Sequence, residues 1–173
     1  MAKIFRAGGS LGGVKPKALV DIGDAQWVIK FFNGEPVDTP LIEHATMTLA
    51  RRAGIATAET QIIRLAGANA LAVRRFDREP GRRTHCISAD TAIRAATATG
   101  EEPERGYPAL ARILRRVGMA QDDINRRDAR ELFRRMVFTI LVDNTDDHEK
   151  NHSLLVLNPL ENGRLKLAPS LRS

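Results

Sequence analysis

The chain has 173 residues, of which 43% are hydrophobic and 28% are charged, a composition that suits one domain with a buried core and excludes a disordered or collagen-like chain. Its longest apolar run, residues 136–142, is far shorter than the ~20 residues of a membrane-spanning helix, so no membrane partner is expected. Cys86 is the single cysteine, which excludes a disulfide framework. The first ten residues contain no apolar signal-peptide core, and a cytoplasmic location is therefore predicted.

The net charge of +6 arises from 27 basic residues, 21 of them arginine, against 21 acidic ones. The basic residues are spread along the chain in pairs such as Arg51-Arg52 and Arg115-Arg116. Aromatic residues make up only 5% of the chain, too few for a surface on which nucleic-acid bases stack. A basic nucleic-acid-associated protein thus stays open as an alternative, supported only by this diffuse charge.

The first eighty residues alternate strand-like runs with one helix. Strands are predicted at 18–22, 26–32, 60–65 and 70–76, with hairpin turns at Gly23-Asp24 and at 66–69. A helix is predicted over 41–53, because Thr39 supplies an N-cap, Pro40 suits the first helical position and Gly54 ends the periodic pattern. This half of the chain is therefore expected to be a small sheet with one helix.

A polar, breaker-rich stretch at 79–83 suggests a linker, and the pattern after it is mainly helical. Helices are predicted at 89–98, 108–117 and 128–142, followed by a loop at 143–152 and strands at 153–157 and 165–167. In the last helix an apolar stripe is expected to face the core. Its members are Leu132, Phe133, Met136, Val137, Ile140 and Leu141.

Two features near the N-terminus favour phosphate binding. Residues 8–13, Gly-Gly-Ser-Leu-Gly-Gly, precede the first predicted strand, and Lys15 and Lys17 follow them. Such a loop allows backbone N–H groups to approach an anion, although its spacing matches no established phosphate motif and a flexible turn remains the alternative. Lys30 stands in an otherwise uncharged strand, where a kinase places its phosphate-binding lysine, and Glu43 of the next helix is its expected partner. An edge-strand lysine that points to water is the other interpretation.

The segment 143–152 carries the most chemistry. Asp146 and Asn151 are five residues apart, the interval between the catalytic aspartate and the magnesium-binding asparagine of kinases. His148 and His152 also satisfy the H-E-x-x-H pattern of zinc peptidases, which requires both histidines on one helix face. The polar residues before His148 and the β-type run after His152 disfavour such a helix, and a hydrogen-bonded turn is a third possibility.

Four segments together resemble the HipA family of serine/threonine-protein kinases, the toxins of HipA/HipB toxin–antitoxin systems. These segments are Ser-Leu-Gly-Gly-Val-Lys-Pro-Lys-Ala at 10–18, Val-Ile-Lys at 28–30, Leu-Ala-Val-Arg-Arg-Phe-Asp-Arg at 71–78 and Asn-Thr-Asp-Asp-His-Glu-Lys-Asn-His-Ser at 144–153. The resemblance implies an α+β, protein-kinase-like, two-lobed fold. Residues 1–78 would form a small β-rich lobe, and residues 79–173 an incomplete helical large lobe, with the nucleotide site between them.

The resemblance also implies roles for individual residues, with ATP and Mg²⁺ as cofactors. The cofactor-binding residues would be Ser10, Gly12, Gly13, Val14, Lys15, Lys17, Lys30, Arg74, Phe76 and Asn151. Asp146 would be the catalytic base, helped by Lys30, His148 and Lys150, and Asn151 would hold the metal. Ser10 matches the serine at which these kinases phosphorylate themselves, and residues 74–76 would form the hinge that binds adenine.

The implied partners are a HipB-like DNA-binding antitoxin, through which DNA would be reached only indirectly, and a protein substrate such as an aminoacyl-tRNA synthetase or translation factor. Arg172 stands where the family has a second metal-binding aspartate, and the chain stops before the rest of the large lobe. Impaired phosphoryl transfer is therefore expected, as is self-association through uncovered apolar surface. A catalytically inactive nucleotide- or antitoxin-binding fragment is the alternative.

Overall fold

A five-stranded antiparallel sheet forms the first half of the protein. The structure, a computed structural model, describes residues 3–6, 17–32, 34–65, 67–160 and 163–170. The strands are β1 (Lys3–Arg6), β2 (Lys17–Ile22), β3 (Ala25–Phe31), β4 (Thr60–Leu65) and β5 (Ala68–Arg74). Their order in the sheet is β1-β2-β3-β5-β4, so β3 is the central strand. The edge-strand interpretation of Lys30 is therefore wrong.

Both predicted hairpins are present in this sheet. The turn between β2 and β3 contains Gly23 at φ +63°, and the turn between β4 and β5 contains Gly67 at φ +83°. These values lie in the left-handed region that glycine enters without steric cost, which explains why the chain reverses at these points. Strand β1 was not predicted, because four residues offer too short a pattern to recognise.

Helix α1 (Thr39–Arg52) packs on one face of the sheet. Asp38, and not Thr39, is the N-cap, since its carboxylate accepts a hydrogen bond from the Leu41 N–H at 3.0 Å. Met47 of the helix is fully buried in a cluster with Leu71 and Val73 of β5. Burial of side chains of this size contributes roughly 1.5–3 kcal/mol each, which fixes the helix on the sheet.

The second half contains the remaining helices and a second sheet. The hairpin of β6 (Arg78–Glu79) and β7 (Arg82–Arg83) occupies the stretch expected to be a linker. The elements that follow are β8 (His85–Ser88), α2 (Ala89–Ala96), α3 (Tyr107–Val117), α4 (Ile124–Leu141), β9 (Ser153–Leu157) and β10 (Arg164–Leu167). The last strands form a three-stranded sheet in the order β10-β9-β8. The three helices agree with the predicted ones apart from their ends.

The helices α2, α3 and α4 and the second sheet enclose a separate core. Its largest fully buried side chains are Leu110 and Leu114 of α3 and Leu154 of β9, and Leu132 of α4 packs with them. The main core of this half therefore lies between α3, α4 and the strands that follow the 143–152 loop. An α+β fold with a kinase-like arrangement is confirmed.

Of the six residues in the apolar stripe predicted for α4, Leu132 is buried, but four are exposed. Phe133, Val137, Ile140 and Leu141 are exposed at 62%, 37%, 70% and 77%. The buried positions are Asp128, Leu132, Arg135 and Phe138, which recur at helical spacing on a face that shares only Leu132 with the predicted stripe. The prediction failed because it treated every charged residue as solvent-facing, whereas two of the four inward positions are charged.

In the described part of the chain, none of the helices has the length and apolar character that crossing a bilayer requires.

Candidate functional site

Lys30 and Glu43 form an ion pair beneath the central strand. Lys30 lies on β3 opposite Leu71 of β5, and the alternation of the strand directs its side chain to the face covered by α1. Glu43 is one turn before Met47 on α1, and its carboxylate oxygen Oε1 accepts a hydrogen bond from the ammonium Nζ of Lys30. Both side chains are about one-fifth exposed, at 19% and 21%. A partly buried lysine is thus held in a fixed position next to solvent.

A second lysine lies beside this pair. Lys17 is directly opposite Lys30 in the β2–β3 register, so both residues belong to the same face of the sheet. The sheet face that carries the Lys30–Glu43 pair thus also carries a second basic residue. The predicted glycine-rich loop precedes Lys17, and its site residues lie outside the described part of the chain. They are Ser10, Gly12, Gly13, Val14 and Lys15.

The predicted hinge follows β5. The Arg74 side chain is exposed and forms an ion pair with Glu59 at 3.1 Å, while Phe76 packs against the cluster around Met47. The hinge backbone is fixed by the Arg75 N–H, which donates to the Gln26 carbonyl at 2.8 Å. The Arg74 side chain thus contacts Glu59 and the Phe76 side chain contacts the apolar cluster, so these contacts do not bring the two hinge side chains together.

Asp77, which was not predicted, fixes the end of the hinge. Its carboxylate accepts hydrogen bonds from Arg75 at 2.6 and 2.9 Å and from Arg78 at 2.7 Å. Burial opposes ionisation of Asp77, but the hydrogen bond and charge of Arg75, together with the charge of Arg78, hold its pKa below the usual value. The residues that follow the first sheet thus form a small charged cluster of Arg75, Asp77 and Arg78.

The loop after α4 brings Asp146 and Asn151 together. Asp143 adopts a left-handed φ of +52°, and the Asn144 side chain accepts a hydrogen bond from the Asp146 N–H at 3.1 Å. The Asn151 amide then donates to the Asp146 carbonyl at 2.6 Å, across the five-residue interval. Turn chemistry of the Asx type therefore sets the distance between the two predicted site residues.

Asp146 and its neighbour Asp147 face different surroundings. The Asp146 side chain is 69% exposed, whereas that of Asp147 is 11% exposed. The Asp147 carboxylate accepts a hydrogen bond from the Tyr107 hydroxyl and lies 3.4 Å from Nε2 of the buried His152. The two neighbouring side chains therefore diverge. The Asp147 oxygens contact side chains 40 and 5 residues away in sequence.

Burial shapes the protonation of this small network. Burial disfavours the charged carboxylate of Asp147, but the contact with the His152 ring and the hydrogen bond from Tyr107 outweigh it and lower the pKa of Asp147. Burial and the neighbouring Asp147 charge raise the pKa of Tyr107, so the hydroxyl stays protonated and remains a donor. The contacts of Asp147 with Tyr107 and His152 attach the loop to the protein interior, while the Asp146 side chain stays at the surface.

The loop is also attached to the start of α3. Glu149 and Asn151 bound a single 3-10 turn, and the Glu149 carboxylate accepts a hydrogen bond from the Gly106 N–H at 2.5 Å. His148 is 44% exposed, and its Nδ1 accepts the Lys150 N–H at 3.2 Å. Of the other predicted catalytic residues, His148 therefore shapes the turn, and Lys150 lies at its exposed surface.

The zinc-peptidase interpretation does not fit this geometry. His148 is exposed and His152 is 7% exposed, and the residues between them form one 3-10 turn and not an α-helix with both rings on one face. Within the described ranges, no three His, Cys, Asp or Glu side chains converge on a point that could hold a metal ion. The 3-10 turn and the strand after His152 agree with the sequence-based argument that the residues around the motif disfavour a helix.

A small cavity connects α1 to the loop. Ala50, two turns beyond Glu43 on α1, lines it together with Asp147 and His152 of the loop and Arg135 of α4. Glu43 and Ala50 therefore lie on one face of α1, and Ala50 borders the same cavity as Asp147 and His152 of the loop. The Lys30–Glu43 pair and the loop that holds Asp146 are therefore parts of one packed arrangement.

Sequence reasoning missed the buried charges of α4. Asp128, Glu131 and Arg135 are spaced three and four residues apart, so they share one face of the helix. The Asp128 carboxylate accepts a hydrogen bond from the Leu167 N–H at 2.6 Å. Burial raises the pKa of Asp128. Charged residues at this spacing on an otherwise well-patterned helix were the signal that could have identified them.

Comparison with known proteins identifies the family of the chain. The family model for the HipA-like C-terminal domain matches residues 9–170. Putative kinase Y4dM of Sinorhizobium fredii is 30% identical over 141 residues, which are 75% of this chain and 33% of Y4dM. The chain thus spans about a third of the length of this curated relative.

Two solved structures have a similar fold. One is the complex of Shewanella oneidensis MR-1 HipA with HipB and operator DNA, with a TM-score of 0.67, 21% identity, and coverage of 93% of this chain and 42% of the other. The other is the Helicobacter pylori proinflammatory kinase CtkA, with a TM-score of 0.71, 13% identity, and coverage of 96% and 56%. Since the family model spans nearly the whole described chain and these folds agree, the protein belongs to the HipA-like C-terminal domain family of kinase-like proteins.

Proposed function

We propose that this chain binds Mg²⁺-ATP between the Lys30–Glu43 pair and the 143–152 loop, as the nucleotide-binding part of a HipA-like serine/threonine kinase. The ion pair of Lys30 and Glu43 is the observation that carries this proposal. Active kinases require such a strand lysine and helix glutamate pair, in which the glutamate positions the ammonium for the α- and β-phosphates. Residues 1–78 and 79–173 are proposed as the two lobes on either side of the nucleotide.

Each part of the nucleotide has candidate partners in the chain. Lys30, with Lys17 opposite it, supplies positive charge for the phosphates, and the backbone of residues 10–17 would cover them. The hinge at 74–76 would supply adenine with backbone groups other than the Arg74 and Arg75 N–H groups, which donate to the Glu59 and Gln26 carbonyls. This assignment is supported by the position of both lysines on the sheet face that carries α1.

The donor set of the loop suits magnesium and not zinc. Mg²⁺ prefers oxygen ligands and in nucleotide sites takes only one or two from the protein, with phosphates and water completing the shell. Asn151 and Asp146 offer an amide oxygen and a carboxylate, and the Asn151 side-chain N–H bond of 2.6 Å to the Asp146 backbone carbonyl keeps the two residues together. Asn151 is the proposed protein ligand. When bound, the ion would neutralise charge that develops on the phosphates.

Asp146 is the proposed catalytic base. Its carboxylate is exposed at 69%, so a substrate hydroxyl can reach it and deliver its proton there. His148 shapes the turn beside it, and Lys150 is an exposed positive charge on the same turn. Arg172, which lies outside the described residues, occupies the position expected for a second metal-binding aspartate. Weak phosphoryl transfer by this chain is therefore proposed, since that chemistry depends on charge placed at the metal.

The partners follow from the family. A HipB-like antitoxin is proposed as a binding partner, and the solved relative bound to HipB and operator DNA supports it. DNA would be reached through that antitoxin, and a protein substrate such as an aminoacyl-tRNA synthetase or translation factor would be modified in the cytoplasm. Self-association is proposed as well, with Ile140 and Leu141 as the most exposed apolar residues of α4.

Calorimetric titration of Mg²⁺-ATP tests the proposal. The Lys30→Ala variant should bind roughly tenfold or more weakly, because a hydrogen bond to a charged group is worth ~1.5–3 kcal/mol. Lys166→Ala is the matched control, since Lys166 is an exposed lysine of β10. Equal affinity of the Lys30→Ala variant and the unmodified chain would refute the phosphate role of Lys30.

A phosphate-transfer assay separates the active from the inactive alternative. Detectable transfer that is lost in Asp146→Asn supports a working kinase. Nucleotide binding without transfer supports the inactive nucleotide-binding fragment.

A further inference from the structure

The buried Arg135 and the partly buried Glu131 of α4 contact two backbone segments that are far apart in sequence. Arg135 is 4% exposed, and its Nε donates to the Glu131 carboxylate at 3.0 Å. The same carboxylate oxygen accepts the Ala56 N–H at 2.9 Å. Nη2 of Arg135 donates to the Ala56 carbonyl at 3.3 Å and to the Ala168 carbonyl at 2.9 Å. We call Glu131 and Arg135 with these two backbone segments the latch.

The first backbone segment is continuous with α1. The Ile55 N–H donates to the carbonyl of Ala50, the last buried residue of the helix, at 3.0 Å. Ile55 is 4% exposed and packs with Ala50 and with Phe138 of α4. A displacement of Ala56 would therefore displace the end of α1, the helix that carries Glu43.

The second segment, residues 168–170, is hydrogen-bonded to the end of the 143–152 loop. The Ala168 N–H donates to the Ser153 carbonyl at 2.9 Å, immediately after the loop ends. The two segments also pair with each other: the Ser170 N–H donates to the Ala56 carbonyl at 2.8 Å, and the Ala58 N–H donates to the Ser170 carbonyl at 2.9 Å. This short parallel contact joins the half of the chain that carries Lys30 to the half that carries Asp146.

A buried ion pair is a poor way to gain stability alone. The free energy lost by removing two charges from water is often as large as the free energy gained from their attraction, and well-packed apolar side chains often stabilise a fold equally well or better. The guanidinium, however, has several donors in one plane and can fix two carbonyls and a carboxylate at once. Its observed contacts use this property, since they connect α4 to both segments.

We propose that Glu131 and Arg135 are positioning residues that hold α1 and the 168–170 segment in register, and thereby keep the Lys30–Glu43 pair in place relative to the 143–152 loop. This inference rests on the proposed nucleotide site. Neither residue touches the nucleotide, and both act through Glu43 and through the loop. Loss of the latch should therefore weaken nucleotide binding in a chain that remains folded.

The test uses Arg135→Met, which keeps an unbranched chain of similar length and removes all three contacts, and Arg135→Lys, which retains one donor group. Arg134→Met is the matched control, because Arg134 is its exposed neighbour on the same helix. Hydrogen exchange should show at least about tenfold faster exchange of the Ala58 and Ser170 amides in Arg135→Met, with β3 unchanged. Arg135→Lys should show a smaller increase, and Arg134→Met none.

Affinity for Mg²⁺-ATP provides the second readout. Arg135→Met should bind about fivefold or more weakly than the unmodified chain. In a Glu43→Gln background the same change should have less than about a twofold effect, because the two residues act on one element and their effects are not additive. Arg135→Lys should recover part of the affinity.

The outcomes separate this inference from the proposed function. Unchanged exchange at Ala58 and Ser170, or equally faster exchange throughout the chain, overturns the latch whatever the nucleotide data show. Additive effects of Arg135→Met and Glu43→Gln also overturn it. If the unmodified chain does not bind Mg²⁺-ATP, the proposed function fails, and the exchange measurement alone decides whether the latch couples the two segments.

Discussion

Replacement of Asp147 by asparagine is expected to destabilise the fold by about 2–4 kcal/mol at pH 7. The Asp147 carboxylate is 11% exposed, accepts the Tyr107 hydroxyl and lies 3.4 Å from the buried His152 ring. A hydrogen bond to a charged group contributes ~1.5–3 kcal/mol, and the replacement removes the charge from both contacts while an asparagine oxygen retains one acceptor. At roughly 2–4 °C per kcal/mol for a chain of this size, Tm should fall by about 5–15 °C.

Thermal unfolding followed by circular dichroism measures this effect, and Asp146→Asn is its control. Asp146 is 69% exposed, so its replacement should change stability by less than about 0.5 kcal/mol. Because the folded chain lowers the pKa of Asp147 from 3.8, its contribution is present above that value and is lost as the pH falls through the lower folded pKa. The difference in Tm between the unmodified chain and Asp147→Asn should therefore become smaller below about pH 4. A Tm within about 1 °C of the unmodified chain, or equal losses in both variants, would refute the buried network.

Five further substitutions test helix α4 and the loop. Asp128→Leu should cost about 1–3 kcal/mol in urea unfolding because the Leu167 N–H loses its acceptor, whereas Asp128→Asn retains one and should cost less. Since burial raises the pKa of Asp128, that carboxyl favours the folded chain most below pH 3.8, and its contribution decreases as the pH rises through the higher folded pKa. Leu132→Ala should cost about 2–5 kcal/mol but Ile140→Ala less than about 0.5, and similar losses would contradict the buried face described for α4. Asp146→Asn should remove any phosphoryl transfer, and retained transfer would exclude Asp146 as the base.

Local patterns were sufficient to predict most elements of the fold. Each of these signals involves only a few neighbouring residues: the apolar alternation in β2 to β5, the glycines of the two hairpins, and the proline near the start of α1. Strands β1, β6, β7 and β8, of two to four residues each, were missed. Short strands are stabilised by their neighbours in the sheet, and that information lies elsewhere in the chain.

The site was predictable where one residue conflicted with its surroundings. Lys30 was recognisable as a charge in an apolar strand, and the Asp146–Asn151 interval as a loop motif. The contact of Asp147 with Tyr107 spans 40 residues, and that of Arg135 with Ala56 spans 79, so neither has a local signature. The face of α4 was misassigned for the same reason, because its buried charges are compensated by distant backbone groups.

The central claim is that Lys30 lies at the phosphates of a bound nucleotide. An acyl-phosphate derivative of ATP transfers its acyl group to a lysine amine near the phosphates, and mass spectrometry of the digested protein then identifies the labelled residue. Labelling is expected at Lys30 or the adjacent Lys17, suppressed by excess Mg²⁺-ATP, with little at the exposed Lys166. Labelling of Lys166 equal to that of Lys30, or labelling that excess Mg²⁺-ATP does not reduce, would contradict the proposed site.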